Sequence, residues 1–409
     1  MNTDNPGDHS PRFALINGRL VLPHEVAEGL AIVIEGDRIL GLTREGNVGS
    51  DFVRVDMGGR LVTPGLIDIH THGALGHTFN EPSDEAYEII TAENARRGVT
   101  GLLATLSAAS IPHLEDCLRF CRQWMARPHT GARVLGAYIE GPYLSLAQKG
   151  AQDGACIRTP DDGTAGLWLE YRDVLRIMAL APELPHAEEF IGRLAGAGII
   201  PSVGHSSARD SDVAAAMRVG LRHVTHLWSA QSASFHEGPW RRAGVVEAAL
   251  ASDGLTAEMI CDNKHLPPTL MKLAYKCLGP DRLCAVSDAI GGAGLPEGAR
   301  FQVGAMEYEV HDGVSMTLDR SSLAGSSTLL NQMLPVLTGV VGIPLPAAVR
   351  MVSLTPATIL GLQHSMGSIA AGKNADLAVF NPDFSVWRTM IGGRRVYGPR
   401  SNVGSRSNV

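Results

Sequence analysis

Cysteine is scarce. Six cysteines in 409 residues are too few for a small scaffold held together by disulfides. No CxxC pair occurs. Cys117 and Cys121 share what reads as one helical face, and Cys156, Cys261, Cys277 and Cys284 are scattered. Buried, reduced thiols are the expectation, and with them a cytoplasmic location. Basic charge is also short: 35 Lys and Arg stand against 42 Asp and Glu, a formal net charge of -7. No nucleic-acid surface is expected from that balance, and mild acidity mainly aids solubility. Long apolar runs are missing too. The stretch 338–349 is broken by Pro344 and Pro346 and falls short of the ~20 residues that span a bilayer. The opening MNTDNPGDHSPRF is polar and lacks the apolar run of a signal peptide. No membrane partner is expected. No GxGxxG follows an early strand, which counts against a dinucleotide fold.

What is present points to a large globular chain. Hydrophobic residues make up 44%, enough for a sizeable core and too many for overall disorder. At about 150 residues per domain the length suggests two to three domains, although a single α/β barrel takes about 250. Fifteen histidines and 46 glycines hint at metal chemistry and many tight loops.

The texture changes along the chain. ALINGRLVL, LAIVIEGDRILGL and VRVDMGGRLVTPG, between 14 and 65, alternate and are broken at Asn-Gly, Glu-Gly-Asp and Gly-Gly, the pattern of hairpins. KNADLAVFNPDF and VWRTMIGGRRVYG repeat that texture near the other end. The two ends, 1–63 and 365–409, are expected to pair into one small β-sandwich domain, with SNVGSRSNV at 401–409 as a loose tail. Between them, apolar runs at 66–70, 99–106, 133–140, 176–183, 198–205, 222–226, 257–262 and 282–288 alternate with helix-like segments, among them 83–97, 112–126, 186–197, 208–219 and 268–278. Eight apolar strands alternating with helices predict an α/β fold, a (β/α)8 TIM-like barrel over 64–364. An open doubly wound sheet is the competitor.

The chemistry-bearing residues fall where such a barrel places its active site. LIDIH ends in His70 and runs on to His72; residues i and i+2 of an extended strand face one side, so both imidazoles can address one ion. RVLGAYIE ends in Glu140, GIIPSVGH in His205, RHVTH in His226 and RLCAVSD in Asp288. Each stands at the C-terminal end of a predicted strand, the mouth of the barrel. Four histidines and two carboxylates on one rim suit Zn2+ or a similar borderline divalent ion. Any one alone reads more simply as a hydrogen-bonded structural residue; the conjunction in barrel order carries the metal site. His9, His24 and His113 show no such placement and are left to surface or core.

At this point the motif order resembles the N-acetylglucosamine-6-phosphate deacetylase family of the amidohydrolase superfamily. PGLIDIHTHG, EGPYLS followed by KGA, APE, VGHSSA, THLWSA, SDAIGGAGLP and LAGSS occur in that order, and the resemblance runs from about residue 14 to 395. It implies the barrel with its split β-domain, and a metal-dependent hydrolase that removes the acetyl group of an amino sugar. It implies that Glu140, His205 and His226 hold one ion. Because His70 and His72 are kept, a second ion bridged by Glu140 fits. Asp288, in the metal cluster, would take the proton from the attacking water and later give it to the leaving amine. Elementary chemistry supports both roles: a divalent ion lowers the pKa of water from 15.7 toward about 7, and an amide nitrogen must be protonated to leave.

The substrate-reading positions depart from the family. Its K-G-A-H ends here in Gln152, a neutral donor. Its T-H-L-F-N-A-M reads THLWSAQ, so Trp228, Ser229 and Ala230 are the candidate sugar contacts there. Its A-D-G-x-H reads CDNKH, keeping Asp262 and His265 and adding Lys264. Its H-R-E-P-G, whose Arg reaches the sugar phosphate of the neighbouring subunit, becomes His236-Glu237-Gly238-Pro239, and an acid repels a phosphate dianion. Arg241 and Arg242 follow closely. Two readings stay open: a rebuilt phosphate site using Arg241, Arg242 or Lys264, or an unphosphorylated substrate. Two further alternatives are a hydrolase of another C–N bond, such as an N-acyl amino acid or cyclic amide, and a metal-binding barrel without catalysis. The resemblance also implies a homodimer.

Overall fold

The structure, a computed structural model, describes residues 12–399. His9, the polar opening segment up to residue 11 and the tail at 401–409 lie outside the described residues. Eight parallel strands form one sheet in chain order: β1 (Leu66–Thr71), β2 (Val99–Ser107), β3 (Arg133–Glu140), β4 (Leu175–Leu180), β5 (Ile200–Val203), β6 (His223–Val224), β7 (Thr256–Ile260) and β8 (Leu283–Val286). The sheet closes on itself: Thr71 bridges Ala289 in parallel, and the Asp288 amide donates to the His70 carbonyl at 2.9 Å. The expected (β/α)8 barrel is therefore what the chain forms. Its strands are continuous apolar runs because the outer face packs under helices while the inner face fills the barrel; every residue of β1 and β2 is buried.

The helix-like segments fold as Asp84–Arg96, Ile111–Met125, Ala187–Gly196, Asp210–Val219 and Pro268–Arg282. The last kinks where Gly279 (φ 66°) precedes Pro280, since proline has no amide hydrogen to continue the ladder. Between β3 and β4 no α-helix forms. Short 3-10 turns take its place, and the loop they create reaches the barrel mouth. After β8 a four-stranded antiparallel sheet appears that the sequence reading did not anticipate: Arg300–Val303, Met306–His311, Val314–Thr317 and Leu323–Ser326.

The chain ends build two further sheets. Four strands, Arg12–Ile16, Leu30–Glu35, Arg38–Arg44 and Val53–Asp56, make one. The other joins Arg19–Val21, Val26–Ala27 and Leu61–Pro64 to Leu377–Phe380, Val386–Ile391 and Arg394–Tyr397. Of the three hairpin signals, only Glu-Gly-Asp closes a hairpin, pairing Glu35 with Arg38. Asn17-Gly18 and Gly58-Gly59 instead carry the chain from one sheet to the other. Asn17 (φ 53°), Gly58 (φ 60°) and Gly59 (φ 71°) are left-handed, a conformation that serves a corner as well as a tight turn.

Period-two alternation couples this sandwich to the barrel. On the strand Leu377–Phe380, Leu377 and Val379 join Leu15, Ile32 and Ile34 inside the sandwich, while Ala378 and Phe380 join the barrel core. All six cysteines are unpaired, as expected, and four are buried; Cys156 is half-buried and Cys277 is exposed, which corrects the expectation of uniform burial. Cys277 lies on the helix Pro268–Arg282, whose buried residues are Met271, Ala274 and Leu278, so the helical period turns Cys277 outward. Among the described residues no helix is long and apolar enough to cross a membrane.

Phe380 is fully buried, and Phe380→Ala is expected to cost about 3–5 kcal/mol in chemical denaturation, because it opens a cavity where the two parts meet.

Candidate metal centre and cavity

The barrel mouth gathers the buried polar residues. Asp68 and His70 are two apart on β1 and share its inner face, and His72 follows just beyond the strand. The Nε2 atoms of His70 and His72 stand 3.3 Å apart. Glu140 closes β3 beside Ser107 of β2 in register. Its Oε1 lies 2.6 Å from His226 Nε2 and 3.0 Å from His205 Nε2. Its Oε2 lies 3.3 Å from His72 Nε2, and Asp288 Oδ1 is also 3.3 Å from that nitrogen. All six side chains are nearly solvent-free, and all six come together as the sequence places them.

Three of them sit two residues beyond a strand rather than at its last residue. His205 and Asp288 turn left-handed, each with φ 47°, a strained conformation for a side chain with a Cβ. Backbone bonds hold them there: the Ser145 amide donates to the His205 carbonyl at 2.8 Å, and the Ser326 amide to the Asp288 carbonyl at 2.7 Å. The new sheet and the β3–β4 loop thus fix the site from outside.

The donor chemistry fits a cation. His70, His72 and Glu140 form one group of convergent buried donors; Glu140, His205 and His226 form another. Each could hold a divalent ion through imidazole nitrogens and a carboxylate oxygen. Burial penalises the ionised Glu140, yet His205, His226 and His72 outweigh it and hold the carboxyl well below the usual range. Burial likewise opposes charge on His72, but Asp288 and Glu140 prevail and push it up to about 10. His205 and His226 also rise, burial again being outweighed by Glu140. The pocket is thus a negative one that fills with protons where no metal competes.

A deeper layer orients the ligands, and sequence reading missed it. Glu258 on β7 takes a hydrogen bond from His70 Nδ1 at 2.7 Å and another from His223 Nε2 at 3.1 Å. Burial opposes its charge, and His70 with His223 outweighs burial to hold it at about 2. Asp68, raised to about 6 by burial, accepts from the Ser287 amide at 3.2 Å. Glu258 had a signal: an acid inside the apolar run AEMICD. His223 likewise stands in RHVTH, three residues before His226.

A cavity of about 780 Å3 opens above these groups. Trp228, Ser229, Ala230, His265 and Gln152 line it as the sequence reading expects. His265 Nδ1 bonds Asp262 at 2.7 Å. Gln152 accepts from the Ala108 amide at 2.9 Å, which turns its NH2 onto Glu140 Oε2 at 2.6 Å; the amide's first partner is therefore a metal-site carboxylate. Arg241 and Arg242 do not line the cavity. They are exposed on a hairpin of Phe235–Glu237 with Trp240–Arg242, where Arg242 closes on Glu237 at 2.9 Å. Lys264 is exposed as well.

The amidohydrolase family pattern matches residues 61–396. The chain belongs to the amidohydrolase family. Within it, the chain is 32% identical over 388 residues to N-acetylglucosamine-6-phosphate deacetylase of Haemophilus influenzae, covering 94% of this chain and 99% of the relative. It is 29% identical to N-acetylgalactosamine-6-phosphate deacetylase of Escherichia coli O157:H7, over 82% of this chain and 87% of the relative. The crystal structure of N-acetylglucosamine-6-phosphate deacetylase from Pasteurella multocida superposes with a TM-score of 0.88 at 30% identity, covering 94% and 99% of the two chains. The resemblance carried by the motifs is thereby borne out. This amidohydrolase is a metal-dependent hydrolase of a non-peptide amide.

Two outcomes follow from the centre. Glu258→Gln is expected to lower divalent-cation affinity about 10- to 100-fold, read by competition with a chelating dye. Cation uptake should also release protons. The raised imidazoles favour their protonated forms, so protons compete through neutral pH and above it, and apparent affinity keeps rising with pH from 6 through 8 and beyond. Calorimetry in buffers of different ionisation enthalpy reads the proton count directly.

Proposed function

We propose that this amidohydrolase removes the acetyl group from an N-acetyl amino sugar, with Asp288 as the proton carrier. The observation that carries the reading is a carboxylate beyond those the two donor groups need: Asp288 Oδ1, 3.3 Å from His72 Nε2 and 3.5 Å from His70 Nε2. The relatives are named as deacetylases of N-acetyl amino sugar 6-phosphates, which supports an amino sugar substrate here.

Glu140, His205 and His226 would hold one cation, and His70, His72 and Glu140 a second. A bound divalent cation supplies a nucleophilic water at neutral pH and polarises the acyl carbonyl. Burial opposes the ionised Asp288, but His72 and His70 outweigh it and keep its pKa low, so it stands as a carboxylate with a lone pair open to a proton. Asp288 takes a proton from the attacking water and returns it to the leaving nitrogen, which cannot depart as an anion. His265, with Nδ1 committed to Asp262, has its other ring nitrogen for the substrate. Trp228, Ser229 and Ala230 line the sugar side, and Gln152 steadies Glu140.

Zinc is the proposed ion, since imidazole and carboxylate donors suit it. Unpaired cysteines support a cytoplasmic location. A homodimer is proposed from the family resemblance. The chain is proposed to divide into a small β domain, 1–63 with 365–409, and a barrel, 64–364; the antiparallel pairing of Leu61–Pro64 with Leu377–Phe380 supports this division.

Asp288→Asn is expected to reduce N-acetylhexosamine deacetylation about 10²- to 10⁴-fold while elemental analysis shows the cation content of the wild type. Turnover that survives the substitution would remove Asp288 from this role.

A further inference from the structure

Each imidazole of the centre has a second nitrogen, and the four differ in what that nitrogen meets. His70 Nδ1 bonds the Glu258 carboxylate at 2.7 Å. His205 Nδ1 bonds the Gln148 carbonyl at 2.8 Å. His226 Nδ1 is buried with no hydrogen-bond partner among the described residues. His72 Nδ1 stands 3.1 Å from Ser107 Oγ. A neutral imidazole that gives Nε2 to a cation carries its proton on Nδ1, and the acceptor there fixes both tautomer and ring. For His72 that acceptor is Ser107 Oγ, a hydroxyl where His70 has a carboxylate.

Ser107 is itself held from both sides. It ends β2, opposite Glu140 of β3. On the other side β1 pairs no further than Thr71 opposite Ala104, so the last residues of β2 lack a strand there. The Asn80 side chain takes that place. Its Oδ1 accepts from the Ser107 amide at 2.9 Å, and its Nδ2 donates to the Ser107 carbonyl at 3.1 Å, the paired bonds that an antiparallel neighbour would make. Asn80 is buried, and His113 on the helix Ile111–Met125 donates from Nε2 to its carbonyl at 2.7 Å.

A short hairpin returns the chain from His72 to Asn80. Gly73–Ala74 pairs with His77–Thr78, and Leu75 (φ 54°) and Gly76 (φ 90°) turn left-handed between them. The Phe79 amide donates to the His72 carbonyl at 2.8 Å. A Cβ at Gly73 would collide with the His77 carbonyl, so the hairpin closes only on glycine. The result is a closed circuit: His72 leads through the hairpin to Asn80, Asn80 clamps Ser107, and Ser107 meets His72.

We propose that Ser107, clamped by Asn80, is the positioning residue for His72 and sets how tightly the His70–His72 side of the centre holds its cation. This rests on the two-cation reading proposed above. His205 and His226 take no part in the circuit, so the effect falls on one of the two cations.

The test titrates the metal-free full chain with Zn2+ against a chelating dye and counts bound cation by elemental analysis. It compares the wild type, Ser107→Ala, His72→Ala and the double variant. The wild type is expected to take up two cations per chain. Ser107→Ala is expected to weaken one step about 10- to 100-fold and leave the other unchanged. His72→Ala should weaken that same step, and adding Ser107→Ala to it should change nothing further, because the hydroxyl then has no imidazole to position. Two full-strength steps in Ser107→Ala, equal weakening of both, or losses that add in the double variant overturn the inference and leave the two-cation reading standing. A wild type that takes up only one cation per chain overturns that reading, and the inference with it.

Discussion

The carboxylate of Glu140 is a charge almost wholly removed from water, and the barrel mouth is organised around making that tolerable. A buried ion is costly unless it is paired and its lone pairs are used. Glu140 spends one oxygen on His205 and His226 and the other on Gln152 and His72. Those imidazoles come from β1, β5 and β6 or the residues just beyond them, so the pairing also ties separate parts of the barrel rim together. A divalent cation is the natural occupant of such a cluster, because it satisfies several donors at once without adding a proton to each.

The pairing would be loose without the layer beneath it. Glu258 fixes His70 through Nδ1 and thereby aims Nε2 at the mouth, the arrangement that orients metal-ligating imidazoles generally. Tyr138 and Ser202 each hydrogen-bond Thr225 at 2.7 Å, so the barrel interior below the site is a polar network rather than a hydrocarbon plug. Such a network is tolerable only when nearly all its members find partners. Here it links β3 and β5 to the residue just beyond β6, giving the site a polar floor.

The roof is built from other material. The sheet between Arg300 and Ser326 has its own apolar cluster of Ile290, Phe301, Tyr308 and Val310, and Tyr308 donates to the Ala151 carbonyl at 2.9 Å. Ala151 adjoins Gln152, so the roof steadies the loop that steadies Glu140. The cavity roof and the buried carboxylate of Glu140 are therefore connected through a single short segment.

Much was legible in the residue order. Continuous apolar runs with a polar residue at each end specify inward-facing ligands, because strand periodicity and a closed barrel leave few other places for them; His70, His72, Glu140, His205, His226 and Asp288 were readable for that reason. Glu258 and His223 were less so, since an acid or imidazole inside a strand does not announce which distant side chain it will meet. The corners at Asn17-Gly18 and Gly58-Gly59 looked like hairpins because left-handed residues serve both, and only the partner strand distinguishes them. The roof sheet, the engagement of Gln152 with Glu140 and the withdrawal of Arg241 and Arg242 from the cavity were decided in three dimensions. Local sequence determines what a segment can bury and how it can turn; which charges end up facing one another depends on contacts between residues far apart in the chain.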